Sequence, residues 1–204
     1  MGICMEQYVI TISRQFGSMG RSIAKELSDN LGIEFLDRDI VEATAKRMGL
    51  PVSVISDEEE SMKSTFFRRQ YPLGMGMSSL KDEIFYTQKN IIRDFAAKGS
   101  CIIVGRCADY ALADEPHCLN IFIRSNMDDR IKRISERLNV TENKAKDIIK
   151  KKDKERSSYY NYYTSKKWGD ARSYDLCLNT SQISVEDSIE LILKYRECMR
   201  NHNK

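Results

Sequence analysis

YVITISRQFGSMGRSIAKELSDNLGIEFLDRD, residues Tyr8 to Asp39, reads without a break as strand, glycine-bearing turn, amphipathic helix and second strand. Val9, Ile10 and Ile12 form a short β-branched apolar run, Gly17 and Gly20 follow it, and Ile23, Ala24, Leu27 and Leu31 recur at helical spacing. The spacing predicts a helix opening within Ser18 to Ser22. A helix start presents unpaired backbone N–H groups and the positive end of the helix dipole, both suited to phosphate oxygens, and glycine lets the backbone come close. The stretch is therefore a candidate phosphate cradle.

Against the mononucleotide-binding pattern G-x-x-x-x-G-K-[ST], the window Gln15 to Ser22 keeps Gly20 as the second glycine and Ser22 as the hydroxyl. Gln15 stands where the first glycine belongs and Arg21 where lysine belongs, although Arg21 retains a charge able to fork onto phosphate oxygens. A match this degenerate also describes an ordinary tight βα turn, so the weight falls on its surroundings.

The 204 residues suit one α/β domain, taken as 1–204, with a small inserted lobe. A net charge of +3 from 33 basic and 30 acidic residues is too balanced for an obligate nucleic-acid binder. No apolar run approaches the ~18 residues of a membrane span, and no charged-then-apolar leader opens the sequence, so a cytoplasmic enzyme without a membrane partner is expected. The six cysteines include no C-x-x-C pair and several sit in apolar runs, which reads as reduced, mostly buried thiols.

Beyond the first unit, Ile33 to Leu36 reads as a strand and Asp39 to Arg47 as a helix closed by Gly49 and Pro51. Residues 52–79 mix charge, methionine and glycine without a clean period, as expected of a flap. Helical period returns from Ile84 to Phe95. Cys101 to Val104, Leu119 to Ile123 and Leu176 to Leu178 read as strands. Met127 to Leu138 reads as a basic helix, and Thr141 to Arg156 as a charged one flanked by the tyrosines YYNYY. These tyrosines are expected to pack this segment against the core rather than to stack a base. Ser184 and Asp187 form a near capping box ahead of a closing helix. Alternation of short apolar strands with helices predicts a parallel sheet covered on both faces, with ligands at the carboxyl ends of its strands.

Polar residues collect at those ends: Ser13-Arg14, Asp37-Arg38-Asp39, Gly105-Arg106 with Asp109, and Arg124-Ser125. Any one of these is ordinary loop charge. Several arginines converging around a phosphate-type turn instead imply a polyanionic ligand, and phosphoryl transfer is the reaction that needs such charge neutralisation.

The segments ITISRQFGSMGRSIAKEL, GIEFLDRDI, CIIVGRCADYAL, NIFIRSNMDDRIKRI, DKERSSYYNYYTSKKWGD and YDLCLNT arrive in the order of, and resemble, the cytidylate kinase-like family of P-loop nucleoside monophosphate kinases, from Tyr8 to about Arg196. The resemblance implies a P-loop NTPase-like three-layer α/β fold around a five-stranded parallel sheet. Its core would span 8–37, 80–138 and 174–200, with an acceptor-binding insertion at about 38–79 and a lid at about 139–170. It implies ATP and magnesium as cofactors and CMP or dCMP as acceptor. Carried over by residue, Gly17, Ser18, Met19, Gly20, Arg21 and Ser22 would wrap the ATP phosphates, with Ser22 facing magnesium. Arg130 and Arg133 would approach ATP from the lid entry. Asp37, Arg38, Arg106 and Asp109 would meet the acceptor, although Cys107 stands where the family usually has an acidic residue. Arg21, Arg156 and Asp153 would serve catalysis, Arg156 by closing onto the transferring phosphoryl and Asp153 by orienting it or meeting the acceptor sugar. The broken P-loop leaves open a nucleotide-binding regulatory module of the same fold, and the atypical flap and Cys107 leave open a kinase of a different small acceptor.

Overall fold

The computed structural model describes residues 7–60 and 77–202. Five strands, β1 (Val9–Arg14), β2 (Glu34–Leu36), β3 (Cys101–Val104), β4 (Cys118–Arg124) and β5 (Leu176–Asn179), form one parallel sheet in the order β2-β3-β1-β4-β5. Helices α1 (Gly20–Leu31), α2 (Arg38–Met48), α3 (Val52–Glu60), α4 (Met77–Lys98), α5 (Ala108–Ala111), α6 (Met127–Leu138), α7 (Glu142–Thr164) and α8 (Val185–His202) make the crossovers and the closing element.

A central strand buried on both faces is largely apolar on both, and the run VITI meets that demand, with its one polar side chain, Thr11, buried by donating to Asn120 Oδ1 at 2.7 Å. Ile10 and Ile12 pack with Ile23 and Leu27 of α1 and Ile189 and Ile192 of α8, whereas Val9 joins Ile40 of α2 and Ile91 and Ile92 of α4 on the opposite face. The chain runs from β1 to β2 and β3 on one side, then to β4 and β5 on the other. The crevice of such a sheet opens where that order reverses, at the carboxyl end of β1.

Two segments differ from their sequence reading. Within the aperiodic flap 52–79, α3 forms directly after Pro51, whose carbonyl accepts from Val54 N–H at 3.0 Å, and the first turn of α4 begins at Met77. Proline suits a helix start through its preset φ, a signal independent of apolar period. The middle of the flap, residues 61–76, lies outside the described residues. The tyrosine run, in turn, does not flank the charged helix but belongs to it: α7 continues to Thr164, where Ser165 turns left-handed. Tyr159 and Tyr163 pack on Phe85 of α4, Tyr163 stacking at 4.0 Å between ring centroids, so the tyrosines tie α7 to the core. The capping box forms reciprocally: Asp187 N–H donates to Ser184 Oγ at 3.0 Å and Ser184 N–H to the Asp187 carboxylate at 3.2 Å.

Candidate active site

The turn leaving β1 takes its shape from two left-handed residues, Gly17 (φ 79°) and Met19 (φ 64°), the second ending the turn where α1 begins. Its carbonyls are tied to the scaffold. Gln15 C=O accepts from Ser18 Oγ at 2.9 Å, Phe16 C=O from Arg130 Nη1 at 3.4 Å, Gly17 C=O from Arg133 Nη1 at 3.2 Å and Ser18 C=O from Thr180 Oγ1 at 3.0 Å. Engaging carbonyls in this way suits a loop whose N–H groups are to face an anion. Arg133 reaches beyond the turn as well, to Ser125 Oγ at 2.9 Å and Thr180 C=O at 3.1 Å, so one guanidinium joins the loops after β1, β4 and β5. Gln15 occupies its place by function, since its side-chain carbonyl accepts from Ser125 N–H at 3.1 Å.

Helix α7 is clamped onto this turn. Asp153 accepts from Phe16 N–H at 2.7 Å and pairs with Arg130, which is only 5% exposed. One helical turn further, Arg156 Nη1 donates to Arg14 C=O at 3.1 Å, and its guanidinium lies over the Phe16 ring at 5.5 Å with Arg137 also over that ring at 5.2 Å. Ile134, Ala145 and Ile149 bury the hydrophobic seam between α6 and α7.

Beside the turn opens a cavity of about 490 Å³, whose walls come from the ends of β1 and β3, from α2 and α3, and from α7. Arg14, Arg38, Arg106 and Arg156 line it, together with Glu42, Glu155, Cys107, Tyr159 and Trp168. Gly105 (φ 77°), Arg106 (φ 58°) and Cys107 (φ 54°) are left-handed in succession. Holding the two residues that carry Cβ atoms there costs about 1–2 kcal/mol each, and backbone strain of this kind collects at functional sites. Burial lowers the pKa of Arg106 below the usual arginine range. Arg14 is pulled down to about 9, first by burial and then by the guanidinium of Arg156, with Arg106 and Arg21 adding to it and Asp37 alone opposing. It stays protonated at neutral pH, and the cations around the cavity, Arg14, Arg38, Arg106, Lys152 and Arg156, outnumber the carboxylates of Glu42 and Glu155 on its wall and of Asp37 beside Arg14. Asp37 accepts from Arg21 Nε at 2.6 Å and lies 3.8 Å from Arg14 Nη2.

Arg38, Arg106 and Arg156, singled out from sequence, are thus brought together at the cavity, and Asp37 stands behind them. Arg21 is 62% exposed and turns to Asp37 and the Phe35 ring. Ser22 is exposed on the first turn of α1, whereas Ser18 is buried in the scaffold. Asp109 does not line the cavity: 5% exposed, it accepts from Tyr160 OH at 2.6 Å, and burial raises its pKa. Sequence reasoning noted Arg14 only as a strand-end charge and passed over Phe16, Arg137 and Glu155. For Arg14 a signal was present, since an arginine ending the central strand of such a sheet falls at the crevice.

A family model for the Cytidylate kinase-like family matches residues 9–182. The chain belongs to the cytidylate kinase-like family. It is 27% identical over 186 residues to the cytidylate kinase of Sulfolobus acidocaldarius, covering 90% of this chain and 91% of that protein. The crystal structure of an uncharacterised protein from Eubacterium ventriosum superposes with a TM-score of 0.72 at 32% identity, covering 94% of this chain and 99% of the other. Shikimate kinase from Bacteroides thetaiotaomicron (TM-score 0.55, 13% identity, covering 94% and 99%) and a gluconokinase from Sinorhizobium meliloti (0.55, 10%, 96% and 95%) share the fold. Family and fold together are those of P-loop kinases, and among the described residues no helix is long and apolar enough to cross a membrane.

Proposed function

We propose that the protein is an ATP-dependent nucleoside monophosphate kinase of the cytoplasm that transfers the γ-phosphoryl of ATP to CMP or dCMP. The observation that carries this reading is the arginine-lined cavity of about 490 Å³ beside a phosphate-type turn. Its size and its excess of positive charge suit a small phosphorylated acceptor. The glycine turn, with its carbonyls tied back, fits a triphosphate at the start of α1. Magnesium bound to nucleotide phosphates takes only one or two protein oxygens, and the Ser22 hydroxyl, exposed on the first turn of α1, would supply one. Bound there, ATP and magnesium supply the phosphoryl group and neutralise its charge. Gly17 to Gly20 hold the donor through backbone N–H groups. Arg106 and Arg38 hold the acceptor phosphate, with Asp37 fixing the arginines around it. Arg156 faces the phosphoryl in transit, and Asp153 holds the lid segment 139–170 against the turn. Helices α2 and α3 of the insertion form the acceptor's outer wall.

The test is a panel assay of the purified protein with ATP, magnesium and each nucleoside monophosphate in turn, following ADP formation. Cytidine acceptors are expected to support the fastest turnover. Transfer to another small acceptor would change the substrate and keep the reaction, whereas ATP binding with no transfer to any acceptor would leave a nucleotide-binding module.

A further inference from the structure

Gly20 is not a glycine for the sake of its backbone. The left-handed residue that ends the turn is Met19, and Gly20 is the first residue of α1 with no positive φ. What Gly20 supplies is space: a Cβ built on it would lie 2.7 Å from Arg14 Cβ and 3.2 Å from Arg14 Cγ. Gly105, at the end of β3, does the same for the other end of that side chain, since a Cβ there would run into Arg14 Nη1. Two glycines from different elements thus cut one slot, and the arginine side chain lies in it.

The strand–turn–helix motif places its second glycine at the end of the turn and its lysine at the next residue, where the helix opens. By backbone conformation those positions are Met19 and Gly20, one residue earlier than Gly20 and Arg21. Five residues before Met19, where the first glycine belongs, stands Arg14. Glycine and cation have therefore changed places between the two ends of the motif. We propose that Arg14 is the phosphate-binding cation of this site, reaching from the end of β1 across Gly20 to the place a P-loop lysine occupies from the helix. Its guanidinium stands at the cavity between the turn and Arg106 and Arg156, so it meets the phosphoryl group passing from donor to acceptor. Arg21 falls in the hydroxyl's place and turns away to Asp37, and Ser22 follows on the same helix. The imbalance of charge around Arg14 fits this role, because a purely structural arginine has no use for three cationic neighbours.

The inference rests on the kinase reading, and the experiment separates the two. Arg14→Gly, Gly20→Lys and the double variant Arg14→Gly/Gly20→Lys are compared with wild type for Mg·ATP affinity by calorimetry, for phosphoryl transfer, and for thermal stability with and without ATP. Arg14→Gly is expected to weaken Mg·ATP roughly tenfold or more and to slow transfer roughly a hundredfold. Gly20→Lys in the presence of Arg14 collides with its stem and also loses affinity. The double variant restores lysine where the motif has it and is expected to recover Mg·ATP binding to within about threefold of wild type. Arg14→Met, which keeps the stem and removes the charge, should melt no lower than wild type without ligand yet lose most of the ATP-induced rise. Arg14→Gly binding ATP like wild type, or a double variant no better than the two single losses combined, overturns the exchange. An Arg14→Met variant that melts lower than wild type yet keeps the full ATP-induced rise does the same. If wild type binds ATP but transfers to no acceptor, the kinase reading fails while the affinity arm still decides the role of Arg14. If wild type does not bind ATP, both fall.

Discussion

Removing the Asp153 carboxylate should uncouple α7 from the turn after β1 at a measurable cost in stability. Arg130 is 5% exposed and the Asp153 side chain 18% exposed, so Asp153→Ala leaves a buried guanidinium without its counter-ion. Breaking a fully buried pair costs about 3–5 kcal/mol, and the partial exposure of Asp153 brings that to about 2–3 kcal/mol. Phe16 N–H also loses a charged acceptor at 2.7 Å, worth about 1–2 kcal/mol more if no water replaces it. The two losses share one side chain and do not add fully, so about 3 kcal/mol is expected, a fall in Tm of about 6–12 °C for a chain of this size. Asp153→Asn keeps an acceptor for Phe16 N–H and loses only the charge, for about 1–2 kcal/mol. Guanidinium denaturation of the ligand-free protein, with Arg130→Met and the double variant Arg130→Met/Asp153→Ala, completes the cycle. The double variant should be more stable than the sum of the single losses implies, by at least about 1 kcal/mol. Asp153→Ala within about 0.5 kcal/mol of wild type, or strict additivity, would refute the bracing role.

Asp109 should make stability depend on pH. Its folded pKa lies above the ordinary value of about 3.9, because burial outweighs the Tyr160 hydrogen bond. The stability it contributes is present below the unfolded pKa and is lost as pH rises through the folded one. Asp109→Asn, which keeps an acceptor for Tyr160, should therefore gain on wild type between about pH 4 and neutrality, and a pH-independent difference would count against it. Gly105→Ala should cost about 1–2 kcal/mol in left-handed strain and also weaken ATP by displacing Arg14, as read by melting and calorimetry; unchanged values in both would remove the slot. In thiol labelling of the native protein, Cys177 and Cys198 should react while Cys101, Cys107 and Cys118 stay protected, since all three are buried and burial raises their pKa values. Early modification of Cys107 by peptide mapping would mean that its wall of the cavity opens.

The sequence by itself determined the five strands, the turn after β1 and the crevice at which polar residues gather. Apolar period and glycine placement act within windows of about ten residues, so Val9 to Leu31 carries its own instructions for strand, turn and helix. Helix α3 escaped because a single proline started it, and the full length of α7 because tyrosines that pack sideways onto Phe85 carry no clear helical period. Only the tertiary structure showed that Arg14 lies across the turn in the space its glycines leave. Gly20 reads as a motif glycine until the Arg14 stem is seen lying where its Cβ would be, a matter of two side chains in one volume. Asp153 and Phe16 meet across 137 residues, and Tyr160 claims Asp109 across 51. Such partnerships depend on how α7 seats against the sheet, because a buried charge takes whichever partner the packing brings within reach, and no local pattern records that choice.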